Sequence, residues 1–196
     1  MVETASLRDA VQEAYSAAAR QPEGKHTFPV GRRFAESVGY PRELLDSLPA
    51  VAVTAFAGVS NVALWAEIPP GCVVLDLGCG AGLDTLIAGR RTGASGKVHG
   101  VDFSAAMQRR AQQAVEESGA ENVELHEADA EELPLPDAPV DVTLVNGIFN
   151  LNPRRTEIFN QLARVVRPRG EVFGAELILA QPLPDGERTC AANWLA

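Results

Sequence analysis

An aspartate followed by three alternating glycines, Asp76-Leu77-Gly78-Cys79-Gly80-Ala81-Gly82, is the segment of this chain best suited to hold a small ligand. It follows an apolar run, Val73-Val74-Leu75, patterned as a buried parallel strand, and leads into Leu83–Arg91, whose pattern predicts a helix. Glycines between a strand and a helix permit a tight turn and let a ligand approach bare backbone. The dinucleotide pattern G-x-G-x-x-G is absent, because Leu83 stands where its third glycine would fall. That argues against a nicotinamide oxidoreductase. The Asp76 carboxylate, placed in the turn, repels a pyrophosphate and suits a ligand that is positively charged at that point.

Two more acids fall at the carboxyl ends of the next two strands. Lys97–Phe103 reads as a second strand ending in Asp102, about 20 residues past the glycines, the spacing of a ribose-hydroxyl acceptor. Val123–Asp129 reads as a third strand, ending in Asp129 before Ala130, with Val140–Gly147 and Gly170–Leu179 as the fourth and fifth. Strands alternating with helices from Cys72 onward imply a parallel sheet. Ser104 caps a helix that runs to Ser118 and stops at Gly119, and Asn152-Pro153 opens another that ends before Pro168. S-adenosylmethionine, with an ammonium, a sulfonium and no phosphate, is a ligand of the charge that Asp76 suits.

These motifs resemble the class I S-adenosylmethionine-dependent methyltransferases, whose first motif is D/E-x-G-x-G-x-G. The resemblance implies an α/β, Rossmann-like fold with strand order 3-2-1-4-5 and helices on both faces. It also implies methyl transfer to a small-molecule acceptor, with no metal. Asp76 and the backbone of Gly78, Cys79, Gly80 and Gly82 would hold the methionyl end. Asp102 would take the ribose hydroxyls, Phe103 pack on the adenine, and Asp129 accept from the adenine amine beside Ala130. Asn146, ending the fourth strand, is the catalytic candidate, placed toward the reactive end. Family members carry two further strands as a hairpin. Only Ala180–Ala196 follow the fifth strand here, too few for the hairpin, so the expectation is a shortened chain, and the alternative a natural chain that leaves Glu171–Leu179 as an exposed edge.

A closer resemblance is to the arsenite-methyltransferase-like branch. It rests on Tyr40-Pro41-Arg42-Glu43-Leu44-Leu45, Phe56-Ala57-Gly58-Val59-Ser60-Asn61, Asn146-Gly147-Ile148-Phe149-Asn150-Leu151-Asn152, and the tail residues Glu187-Arg188 and Asn193-Trp194-Leu195. That branch carries S-N-C after its fourth strand and a cysteine in its tail, and both cysteines are missing here. Trivalent arsenic is a soft centre held by converging thiolates. Cys72 and Cys79 bracket one strand, roughly 20 Å apart at about 3.3 Å per residue, so they cannot share a ligand. Only Cys190 is left to face a substrate. Arsenite is therefore the alternative acceptor to an organic one, and a non-catalytic S-adenosylmethionine-binding module is a second alternative.

The rest of the chain positions this core. Residues 1–70 read as a helical lead-in, a lid packed on a core spanning 71–196. Its first helix is patterned by Leu7, Ala10, Val11, Ala14, Tyr15 and Ala18 behind a Ser6-x-x-Asp9 capping box. Gln21–Arg33 reads as a loop, followed by short helices around Pro41–Ser47, Ala50–Ala57 and Asn61–Glu67. Tyr15, His26 and Tyr40 are candidate lid residues, His99 and His126 are structural, and Glu131-Glu132 belongs to a solvated turn. A net charge of −9 over 196 residues argues against a nucleic-acid partner, and Arg109-Arg110 and Arg167/Arg169 read as solvated faces. No apolar run of membrane-spanning length and no signal-type segment is present, and three cysteines suit a reducing, cytoplasmic setting. The fifth strand, lacking its hairpin, presents an open apolar edge, and the expectation is that a second copy in a homo-oligomer, another partner, or the Pro182–Ala196 tail covers it.

Overall fold

Side chains alternate across a strand, so a strand buried on both faces must be apolar at nearly every position. The computed structural model, which describes residues 4–178 and Gln181, places such a strand, β1 (Val73–Leu77), at the centre of the sheet. The lead-in supplies α1 (Thr4–Arg20), α2 (Arg32–Ser37), α3 (Arg42–Asp46), α4 (Ala50–Thr54) and α5 (Val62–Trp65). After β1 come α6 (Leu83–Thr92), β2 (Lys97–Asp102), α7 (Ala105–Ser118), β3 (Val123–Glu127), β4 (Val140–Asn146), α8 (Arg155–Val165) and β5 (Val166–Ala175). All pairings are parallel, in the order β3-β2-β1-β4-β5 that the resemblance implied.

The two faces of the sheet build separate cores. On one, Val74, Val98, Val142 and Leu144 pack against Leu83, Leu86 and Ile87 of α6, and against Tyr40, Leu45, Val53, Phe56 and Val62 of the lead-in. On the other, Leu75, Leu77, Val101 and Val145 pack against Ile158, Leu162 and Val165 of α8. The residues on either side of Pro70 thus share one hydrophobic cluster. No helix covers the crossing from β3 to β4, residues 128–139.

Several local expectations change. The Asp76 pairs with Gly100 and Leu144 place it inside β1, because the ladder on both sides runs on to Leu77 and the turn starts at Gly78. Residues Ala128 and Asp129 lie beyond β3, and Phe103 and Gly147 lie beyond β2 and β4. Ser6 falls within α1 rather than capping it, and α2 opens at Arg32, inside the expected loop. Ser104 accepts from the Met107 N–H as the α7 cap, and Gly119 ends that helix in the left-handed conformation. The fifth strand begins at Val166, not Gly170, and stops at Ala175, not Leu179. Val140 pairs with Val166 and Val142 with Glu171, so the extra residues form a bulge around Arg169, at φ 69.

Past Ala175, Glu176 turns inward, where its carboxylate accepts from the Ile148, Phe149 and Asn150 N–H groups. It therefore does not guard the β5 edge. Among the described residues no strand pairs with the outer side of β5. The expected tail, with Cys190, Asn193 and Trp194, lies outside the described residues. No described helix is long and apolar enough to cross a membrane.

Candidate active site

At the carboxyl ends of β1, β2 and β4 one cavity opens, where ligands lie in sheets of this kind. It is lined by Asp76, Gly78, Cys79, Gly80, Asp102, Phe103, Asp129, Ala130 and Asn146, so nine of the ten residues named from the sequence meet there. Gly82 stands behind them as the α6 cap, against Ala111. Two glycines have specific reasons. Gly78, at φ 76, would put a Cβ 2.3 Å from the Ile148 methyl. The Cβ position of Gly80, at φ 53, meets nothing within 4 Å, which leaves that backbone bare toward the cavity.

The acids differ in their surroundings. Asp102 accepts from the Gly80 N–H at 2.9 Å and the Ser104 N–H at 2.8 Å, fixing the glycine loop, and each oxygen keeps a lone pair. Burial pushes its carboxyl up to about 6. Asp76 is buried and accepts from the Thr85 hydroxyl at 2.5 Å. Burial, and then the nearby Asp84 charge, raise it above the usual carboxylate range. Asp84 is itself raised by burial, against the donors Tyr40 and Asn146. Asp129 is held in an ion pair by Arg8 of α1.

The expected role of Asn146 meets a geometric obstacle. Its Oδ1 accepts from the Val59 N–H at 2.8 Å and the Ser60 N–H at 3.0 Å. Its Nδ2 donates to the Ser60 carbonyl and to Asp84, both at 2.8 Å. All four hydrogen-bonding positions of the amide are used, so it holds the lead-in segment 58–60 on the sheet. Gly58 allows this close approach, since a Cβ there would lie 2.5 Å from the Asn146 nitrogen.

Of the three lid candidates, Tyr15 alone lines the cavity, stacked on Phe28 with ring centroids 4.5 Å apart. Tyr40 is buried with its hydroxyl donating to Asp84, and His26 is held at the Gln21 carbonyl, away from the site. Two expected surface groups are engaged instead. Glu131 lines the cavity and pairs with Arg154 at 2.7 Å, and Arg110 donates to the Val51 carbonyl at 3.1 Å and to that of Ala19. The sequence reading missed Arg8 and Asp84. Asp84 carried a signal, an acid two residues past the last loop glycine in an otherwise buried turn. Arg8 carried none, because its role depends on where α1 docks.

Cys72 does not line the cavity, and the Cys79 sulfur lies below the loop, 3.7 Å from the Gln108 amide. The donor set fits S-adenosylmethionine. The cavity offers the buried carboxylates of Asp76, Asp84 and Asp102 to a cationic ligand, and among the described residues its one lining cation, Arg8, is already paired.

The raised carboxylates make a pH dependence. An acid whose folded pKa exceeds its unfolded value favours the folded state at low pH, and that contribution is lost as the pH rises through the folded value. For Asp102 the loss runs from its ordinary 3.8 to about 6, and for Asp76 it extends higher. A bound cation reverses the loss by favouring the ionised acids. The rise in melting temperature produced by saturating S-adenosylmethionine should therefore grow from about pH 5 to about pH 7.5. Equal shifts at both pH values would mean that the acids are already ionised in the free protein.

Comparison with known proteins agrees with the geometry. Residues 68–194 match the family Methyltransferase domain. The chain is 36% identical over 153 residues to an arsenite methyltransferase of Halobacterium salinarum, a match covering 77% of this chain and 38% of that protein. It is 35% identical over 123 residues to a demethylmenaquinone methyltransferase of Bacillus cytotoxicus, covering 62% and 51%. The crystal structure of CrArsM, an arsenic(III) S-adenosylmethionine methyltransferase from Chlamydomonas reinhardtii, aligns with a TM-score of 0.63 at 26% identity, over 80% of this chain and 52% of that one. The chain thus spans about half or less of the length of these relatives. With the family match covering the whole strand-and-helix core and the cavity carrying the acids such a cofactor needs, the chain belongs to the methyltransferase domain family, of the class I kind whose cofactor is S-adenosylmethionine.

Proposed function

We propose that this domain methylates a small, largely apolar organic acceptor, with residues 1–70 serving as the lid over the core of residues 71–196. S-adenosylmethionine supplies a methyl already activated on a sulfonium, so transfer requires in-line alignment and exclusion of water. Asp76 and the bare Gly80 backbone would hold the methionyl end, Asp102 the ribose, and Phe103 with Asp129 and Ala130 the adenine. Val11, Tyr15, Ala52, Ala55, Phe56 and Leu151 supply the dry wall opposite the loop. Asn146 acts as a positioning residue, keeping the lead-in closed over the reactive end.

What carries this reading is that, once Asp76, Asp102 and Asp129 are given to the cofactor, no other described polar group lining the cavity is free to act as a base. Asp84, Asn146 and Glu131 are engaged, and burial pushes the Tyr15 hydroxyl up, away from ionisation. A nucleophile entering here must bring its own lone pair, as a thiolate, phenolate or enolate does, without enzymatic deprotonation. A panel of thiols, phenols, amines and aliphatic alcohols tests this. Methylation should track acceptor acidity and apolarity. Turnover of an aliphatic alcohol would contradict the reading, and cofactor binding with no turnover of any acceptor would favour the binding module.

Arsenite stays as the second reading, favoured by the likeness to the two arsenic methyltransferases. It needs converging thiols, and the two described cysteines do not converge. Arsenite should accordingly leave the melting temperature unchanged, since a ligand must bind the native state to stabilise it. A saturable upward shift that disappears in a Cys72→Ser/Cys190→Ser variant would establish arsenite instead.

The outer edge of β5 supports self-association. Val172 on that strand is exposed, and Trp65 packs edge-on against Phe173 while staying half exposed. A second copy covering this edge should appear in light scattering as concentration-dependent mass. A strict monomer at all concentrations would rule it out.

A further inference from the structure

The crossing between β3 and β4 leaves the outer part of one sheet face without a helix, and three metal-ligating side chains meet on it. His99 of β2 pairs in register with Glu124 of β3, and Val101 with His126, so His99, Glu124 and His126 share that face. Their ligating atoms all lie within 4.8 Å of one another. His99 Nδ1 is 3.0 Å from His126 Nε2, and the Glu124 carboxylate is 3.9 Å from each ring nitrogen. Bonds of about 2.0–2.1 Å in a tetrahedron separate neighbouring ligands by about 3.3–3.5 Å, so small side-chain rotations would bring all three to one ion. We propose that His99, Glu124 and His126 form a binding site for a divalent transition-metal ion of the Zn²⁺ class, separate from the cofactor cavity.

The chemistry of the set matches that class. Two imidazoles and one carboxylate suit Zn²⁺ rather than Mg²⁺ or Ca²⁺, which take oxygen ligands. Burial, then the Lys97 charge, lowers His99, keeping its ring neutral as ligation requires. His99 is buried, which fixes its ring, whereas Glu124 is half exposed and gives an ion a path in. Lys97, 2.5 Å from Glu124, is the charged neighbour that must yield, and its half-exposed side chain can swing into water. A bound ion would tie the edge strand β3 to β2. Gln108 donates to the His126 carbonyl at 2.7 Å and lies 3.7 Å from the Cys79 sulfur, so the site shares a neighbour with the glycine loop.

The test is Zn²⁺ titration by calorimetry on the untagged full chain, with the melting temperature and the visible spectrum of bound Co²⁺ as further readouts. One equivalent should bind and raise the melting temperature. Losing an outer-shell partner costs about 10–100-fold in metal affinity, so His126→Ala and Glu124→Gln, each removing a direct ligand, should weaken binding by at least about 100-fold. Lys97→Met, which removes the competing cation, should tighten it, a result that a merely damaged fold would not produce. All three variants should keep the parent's S-adenosylmethionine affinity, which shows that they fold. No binding by the parent, or an affinity unchanged in both ligand variants, would overturn the site.

Discussion

Replacing Asp102 by alanine is expected to weaken S-adenosylmethionine binding by at least about a hundredfold in a calorimetric titration, with the sheet still folded. Two hydrogen bonds from ribose hydroxyls to a charged acceptor are worth about 1.5–3 kcal/mol each. Their sum spans at least two decades of affinity at about 1.4 kcal/mol per decade. The same substitution strips the acceptor from the Gly80 and Ser104 N–H groups, so the glycine loop loses its anchor as well. Asp102→Asn keeps one neutral carbonyl acceptor and should fall between the two. Unchanged affinity in the alanine variant would remove Asp102 from the site.

The second large effect is on stability. Asn146→Ala should lower unfolding stability by about 2–4 kcal/mol, because it leaves two partly buried N–H donors without an acceptor, at about 1–3 kcal/mol each, and takes a donor from a buried carboxylate. The orphaned groups are the Val59 and Ser60 N–H, while the Ser60 carbonyl and the Asp84 carboxylate each lose one donor and keep the Tyr40 hydroxyl. The urea midpoint should drop while the slope stays constant. Asn146→Asp should be worse at alkaline than at acidic pH, since it sets another acid beside two whose carboxyls are already raised. A loss within about 0.5 kcal/mol for the alanine variant would show that the amide does not hold the lead-in.

That the sheet is parallel was legible because strands alternate with helices from Cys72 onward, whereas its order came from the family resemblance. The helix over Ala105–Ser118 was legible because its cap and its terminating glycine are local signals. Boundaries were less so. Val166–Arg169 joins β5 through a bulge that no local propensity marks, and Asp76 belongs to β1 because strands on both sides continue its ladder. Helix α2, six residues long, has neither the length nor the periodicity to stand out from a loop containing Pro29 and Gly31.

Residue types and spacing by themselves determined the cofactor class. A carboxylate before alternating glycines, with acids near the ends of the next two strands, is a local arrangement of charge and bare backbone. Any parallel sheet of this order carries those positions to one cavity. Contacts between segments far apart in the chain had to wait for the tertiary structure. Arg8 reaches Asp129 across 121 positions, Asn146 binds Val59 and Ser60 across 86 or 87, and His99 meets His126 across 27. Packing of α1 and the lead-in against the sheet fixes the first two, and register between adjacent strands fixes the third. None has a local signature, because hydrogen bonds and ion pairs depend on distances that only the folded backbone sets.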